Sequence, residues 1–429
     1  MSCSLSAASF VVAGPSSVPT RLLRQAAGIR MMQKCLPFLV HILEQHRNTP
    51  YSPVIQAFLE RETDRFDALA SSPIFRAWFG AVEREPDWER LTPNREALLK
   101  EFCSLALRPN EPQDYLMNVA LALAPRGRYA PPELDWCWMA ENPKLETVMP
   151  ISLARVAEVA ASLEPGDAAA LTTHGCAGTV YKSARLDGET WISNLHPRLK
   201  VYLSGTNQRQ SGVVPDAVDW QNYPDAWDSM LYRAPYWLMA AVWAEEYADH
   251  LELVRVIVPI NLPARYQDRS RSLAFTVSSH QGAIFITASD PRRMLEMLLH
   301  EKAHVKQRYV DEVWPLLEPE QTTQRFAVPW RPDLRPIFGI FEGAYVFLQV
   351  AIGLSRCHLA GRYDVKKRAL EMFEYVKVGL DIIGCHARMT PDGQAFCEAI
   401  SRAFNAARRD FPPHTPDSRP DEAYQQARS

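Results

Sequence analysis

Apolar positions recur at helical spacing near both ends of the chain, while short apolar runs and alternations occupy the middle. From Thr20 to about His46 the spacing predicts a helix. Ser52-Pro53 and Thr92-Pro93 each open another, because proline suits the first helical turn, where its missing N–H leaves no bond unmade. The second of these runs to about Leu107. Residues 1–145 therefore read as mainly helical, behind a loose start over 1–19. Near Thr147 the character changes. Short β-rich runs fall at 169–171, 180–186, 190–192 and 200–203, with Asp187-Gly188 as a hairpin turn signal. Residues 204–225, rich in Gly, Asn, Asp and Pro, read as a long loop.

Helical spacing resumes over about 224–251, followed by a β-branched run at 254–258 and a short apolar strand at 283–287. Asp290 caps the next helix, with Pro291 at its first position. Residues 315–336 read as a Pro- and Glu-rich loop. Helices follow near 339–354, 365–383 and 393–408. The polar tail 411–429 reads as disordered.

A chain of 429 residues with 47% apolar and 23% charged residues can bury a sizeable core, in one large or two or three smaller domains. Net charge is −3, from 47 basic and 50 acidic residues, which leaves no electrostatic footprint for nucleic acid or an anionic membrane. The eight cysteines are scattered, with no Cys-x-x-Cys pair, and read as reduced thiols of a cytoplasmic protein. No basic n-region precedes the apolar residues 7–13, and no stretch is expected to reach the roughly 20 apolar residues of a membrane helix.

The chemistry concentrates at His300-Glu301-Lys302-Ala303-His304. Two histidines at i and i+4 share one helical face, so their imidazoles can meet on one cation; the bland alternative is an incidental pair on a surface helix. A catalytic metal needs a further protein ligand and an open position. Glu342 is the candidate, as an acid in the otherwise apolar stretch 337–354, where burial is costly unless it is paired or metal-bound. An exposed acid near a helix N-terminus is the competing account. Two His and one carboxylate suit Zn in a peptidase, with Glu301 as general base. They equally suit the facial triad of a non-haem Fe(II) oxygenase.

Just before Glu342, prolines 329, 332 and 336 stiffen a segment that carries Arg331 and Arg335. Such an Arg pair suits a dicarboxylate cosubstrate, or else structural ion pairs, for instance with Asp333. His280 is a candidate for the substrate groove, or an ordinary loop histidine. Cys357-His358 and Cys385-His386 are adjacent pairs whose side chains point apart on a helix, so neither makes a nucleophile–base couple.

Three segments together, Leu299-His300-Glu301-Lys302-Ala303-His304-Val305-Lys306, Pro329-Trp330-Arg331-Pro332-Asp333-Leu334-Arg335-Pro336 and Gly339-Ile340-Phe341-Glu342-Gly343-Ala344-Tyr345, resemble the His-Glu-x-x-His family of peptide-modification proteins found beside ribosomally made, post-translationally modified peptides. The resemblance covers about residues 225–355. It implies Fe(II), 2-oxoglutarate and O₂, acting as a dioxygenase on Cβ of a precursor-peptide residue. On it His300, His304 and Glu342 are the metal ligands, Arg331 and Arg335 hold the 2-oxoglutarate carboxylate, and Glu301 becomes an outer-shell residue. The peptidase reading loses ground, since neither an Asn-Glu-x-x-Ser-Asp nor a Glu-x-x-x-Asp segment follows at the usual distance.

The expected fold is α+β. It has a helical region over 1–145, a small β-rich region and loop over 146–225, a zincin-like metal-binding domain over 226–410 with its site on a helix after a short strand, and a tail over 411–429. The strand at 283–287 is expected to pair with an extended peptide by β-augmentation. The first functional expectation is the oxygenase. A Zn-dependent metallopeptidase and a non-catalytic peptide-binding partner are the alternatives.

Overall fold

Proline in the first turn marks the start of several helices. The computed structural model describes residues 6–12, 18–49, 51–60, 69–85, 88, 90, 92–106, 128–129, 136–140, 153–164, 167–173, 176–187, 190–193, 199, 229–260 and 273–412. The strand expected at 200–203, the loop at 204–225, Gly188 of the turn signal and the tail from 413 lie outside these residues.

The chain mixes helices and sheets, an α+β protein. Its first part carries α1 (Val18–Gln45), α2 (Ser52–Leu59), α3 (Pro73–Val82) and α4 (Pro93–Ala106), and proline sits in the first turn of α2, α3 and α4. The spacing did not predict α3. Its residues are buried on every side, so no polar face marks a helical period. Next come β1 (Arg128–Tyr129), β2 (Trp136–Ala140), α5 (Leu153–Ser162), β3 (Ala168–Thr173), β4 (Cys176–Lys182), β5 (Ala184–Asp187) and β6 (Thr190–Ile192). Then follow α6 (Ser229–Val242), α7 (Ala244–Leu253), β7 (Val256–Pro259), β8 (Ala274–Phe275), a 3-10 turn (Ser278–His280) and β9 (Ala283–Ile286). The last part is α8 (Pro291–Val313), β10 (Arg325–Val328), β11 (Arg331–Pro336), α9 (Ile337–Leu359), α10 (Lys366–His386) and α11 (Pro391–Asp410).

The segment 315–336, expected as a loop, holds the β10–β11 hairpin, with Phe326 opposite Arg335. Proline is tolerated there because a two-stranded ribbon is all edge.

Two compact units make up the chain. The first comprises Met1–Arg21, Ala234–His250 and Ser289–Ser429; the second comprises Leu22–Arg233 and Leu251–Ala288. The stretch 251–288, expected in the metal-binding domain, thus belongs with the N-terminal helices.

In the second unit, one antiparallel sheet runs β1-β2-β4-β3 and another sheet runs β5-β6-β7-β9-β8. In the latter, β6, β7 and β9 are parallel, with Ile257 beside Ile284. Every residue of β7 and β9 is buried, which is why both read as unbroken apolar runs. β9 pairs with β7 on one edge and β8 on the other. β8 covers the second edge at Phe285 and Ile286, which narrows the room for the expected β-augmentation on this strand.

In the first unit, α9 is the central helix, with α8 and α10 packed along it. By length and composition it could cross a membrane, with a mean hydropathy of 1.8 over the best window, contrary to the expectation that no stretch reaches that mark. Yet 83% of that window is buried inside the protein, as in a core helix. The N-terminal residues, expected to be loose, also pack here: Tyr345 Oη donates to the Phe10 carbonyl at 3.3 Å and Gln349 Nε2 to the Val11 carbonyl at 2.5 Å.

Candidate metal centre

α8 carries the histidine pair. Asp290 starts it by accepting from the backbone N–H of Arg292 (2.9 Å) and Arg293 (3.2 Å), which satisfies two donors that a bare helix end would leave open. Leu295, Leu298, Leu299 and Val305 bury one side. Every fourth residue from 296 to 308 forms a polar stripe of Glu296, His300, His304 and Arg308.

Nε2 of His300 and Nε2 of His304 are 3.2 Å apart. On the other nitrogen of His304, Nδ1 lies 2.7 Å from Glu342 Oε1, and Arg308 Nη2 reaches the same oxygen at 3.3 Å. Burial opposes ionisation of Glu342, but His304 and Arg308 outweigh it and hold the carboxyl well below the usual carboxylate range. Neither His304 Nδ1 nor Glu342 Oε1 has a hydrogen-bond partner, so the two meet as a close charge contact and not along an N–H···O line. At the other end of the stripe, Arg368 binds Glu296 through Nε (2.9 Å) and Nη2 (2.5 Å). Burial, His304 and Arg368 push the His300 imidazole down to about 3 against the pull of Glu342, so its ring is neutral at neutral pH.

An aromatic wall stands beside His300. The Phe347 ring lies 5.6 Å from it, and Trp330 and Tyr375 each lie 5.1 Å from Phe347. Trp330 covers Gly343, where a Cβ would come within 3.3 Å of the indole.

These residues fit a cation in one respect. Two Nε2 atoms 3.2 Å apart, each about 2.1 Å from a shared ion, subtend an angle of about 100°. The same separation serves a hydrogen bond from one ring to the other. Among the described residues, no group of three His, Cys, Asp or Glu side chains forms a ready metal site. The expected triad of His300, His304 and Glu342 is corrected accordingly: Glu342 sits at Nδ1 of His304, not beside the two Nε2 atoms, because it reaches that ring from α9.

Other candidates fall elsewhere. Glu301 is 6% exposed and, one residue on, projects about 100° round the helix from His300. Arg331 and Arg335 both reach Asp333, at 2.9 and 3.2 Å, which realises the ion-pair alternative. His280 is fully buried in the second unit, its Nδ1 3.0 Å from Ser279 Oγ and its ring edge-on to Phe285. A ring with no exposed surface does not line a groove, so it leaves the candidate set. The described cysteines 35, 103, 357, 385 and 397 are unpaired thiols.

Sequence reasoning missed a second polar centre, on the opposite side of α8. Lys302 Nζ lies 2.5 Å from Glu246 Oε1 and 2.6 Å from Asp249 Oδ2, and Lys306 Nζ lies 2.6 Å from the same Asp249 oxygen. Thr20 Oγ1 donates to the other Asp249 oxygen. The available signal was a pair of lysines, i and i+4, in a helix whose apolar positions bury that side.

No protein-family model matches the chain, and no curated protein matches it.

Proposed function

We propose that the chain is an Fe(II)- and 2-oxoglutarate-dependent peptide hydroxylase acting on Cβ of a residue in a ribosomally made precursor peptide. The observation that carries a metal centre is the pair of Nε2 atoms at 3.2 Å with a carboxylate at the second nitrogen of His304. Cosubstrate and target rest on the resemblance over residues 225–355.

When bound, iron with 2-oxoglutarate and O₂ would supply the oxidant for a C–H bond, one oxygen entering the peptide and the other the succinate formed with CO₂. The rest falls to this chain. His300 and His304 hold the ion, and the carboxylate of Glu342 places negative charge behind His304. Arg331 and Arg335 are placed by the resemblance on the 2-oxoglutarate carboxylate, which must compete with Asp333 for them. The wall of Phe347, Trp330 and Tyr375 keeps water from the His300 side. Glu301 acts as an outer-shell residue. The five cysteines whose side chains are described are unpaired thiols, in keeping with a reducing, cytoplasmic setting.

The test is mass spectrometry of a candidate precursor peptide incubated with the full chain and Fe(II), with and without 2-oxoglutarate. Gain of one oxygen only with 2-oxoglutarate supports the proposal. Cleavage that ignores 2-oxoglutarate and stops in Glu301→Gln replaces it with the peptidase, and an unchanged peptide leaves the binding partner.

A further inference from the structure

Lys302 and Lys306 lie within the motif helix but serve the face that the histidines do not. At 100° per residue, Lys302 projects about 200° from His300 and Lys306 about 200° from His304, so the two pairs stand back to back on the same turns. The lysine side is sealed: the side chains of Glu246, Asp249, Lys302 and Lys306 are 0%, 4%, 0% and 2% exposed. Two ammonium groups and two carboxylates meet there, with Thr20 as a fifth member.

Apolar packing alone would hold α8 loosely about its axis, because Leu, Val and Ala surfaces tolerate small rotations and slips. A buried ion cluster does not. Turning the helix by one residue moves each Nζ away from its carboxylate and leaves charge stranded without water. Buried ionic groups of this sort are best attested as devices that fix register.

We infer that the Glu246–Asp249–Lys302–Lys306 cluster sets the rotation of α8, so that Lys302 and Lys306 are positioning residues for the histidine pair on the opposite face. The inference rests on the proposed metal centre. It adds that the precision of the centre is maintained from behind the helix, by residues that never touch the ion.

The test uses Co(II), titrated into the metal-free full chain and read by its visible absorption. Lys302→Met strands Glu246, so it is compared with the double variant Lys302→Met/Glu246→Met. The double variant replaces Lys302 and Glu246 by apolar volume, leaves Asp249 paired with Lys306, and is expected to keep or raise thermal stability. If the cluster only stabilises the fold, the double variant binds Co(II) like the parent. If it positions the histidines, affinity falls about 10–100-fold and the absorption bands broaden although the fold is intact, while Lys302→Arg, which keeps the charge, recovers most of the binding. Equal affinity and equal spectra in parent and double variant overturn the inference while the metal centre stands. Absence of a His300-dependent Co(II) spectrum in the parent overturns both.

Discussion

Nε2 of His300 and Nε2 of His304 stand 3.2 Å apart across one turn of α8, and the far nitrogen of His304 meets Glu342 at 2.7 Å. The first distance suits a shared cation. The second assigns Glu342 to the ring's back edge. Together they divide the site: imidazoles in front, a carboxylate charge behind them from α9.

Glu342→Gln is therefore expected to weaken Co(II) or Fe(II) binding about 10–100-fold by removing the negative charge behind His304, with the coordination number unchanged in X-ray absorption. Loss of an oxygen ligand in that spectrum would instead put Glu342 on the metal.

Asp333 holds both arginines of the β11 strand. If Arg335 receives the cosubstrate carboxylate, Arg335→Gln removes a charge-assisted bond of about 1.5–3 kcal/mol and raises KM for 2-oxoglutarate roughly 10- to 100-fold. Asp333→Asn removes the competitor and is expected to lower that KM. Steady-state kinetics check both. Unchanged KM in both variants would move the anchor elsewhere, with Arg308 or Arg368 next to be tried.

His250 is expected to make the fold sensitive to acid. It is buried, with Nε2 2.6 Å from Tyr236 Oη, and burial followed by Lys302 pushes its pKa down to about 3, against the pull of Asp249. The unfolded chain binds that proton near pH 6.5, so between about 6.5 and 3 unfolding takes up a proton. The stability that a neutral His250 confers is thus complete above pH 6.5 and declines as pH falls. From pH 6.5 to 4.5 the parent is expected to lose about 2 kcal/mol more than His250→Gln. Urea unfolding at the two pH values measures the difference, and parallel losses would remove His250 as the cause.

Gly353 of α9 faces Leu299, the residue before His300, so closely that an added Cβ would overlap Leu299 Cδ1. Gly353→Ala is expected to cost about 1–3 kcal/mol through overpacking, read as a lower urea midpoint. A variant as stable as the parent would show that Leu299 can change rotamer without disturbing the helix.

What could be read in advance was local. The Asp290-Pro291 start of α8, the pairing of positions 300 and 304, and the apolar runs of β7 and β9 each depend on neighbours in sequence. What could not be read was tertiary. The partners of Lys302 lie 53 and 56 residues away on α7, so no spacing rule joins them. The β10–β11 hairpin was hidden by prolines that a central strand would not accept. Whether Glu342 meets Nε2 or Nδ1 of His304 depends on how α9 lies along α8, which periodicity cannot specify.

The central claim is a shared ion between two imidazoles, and stoichiometry tests it most directly. Metal-free parent, His300→Ala and His304→Ala are each loaded with Fe(II) without oxygen, and bound iron per chain is counted. One ion in the parent and none in either variant is the expected result. An iron-free parent, or variants that bind as the parent does, would reduce the pair to a hydrogen bond between two rings.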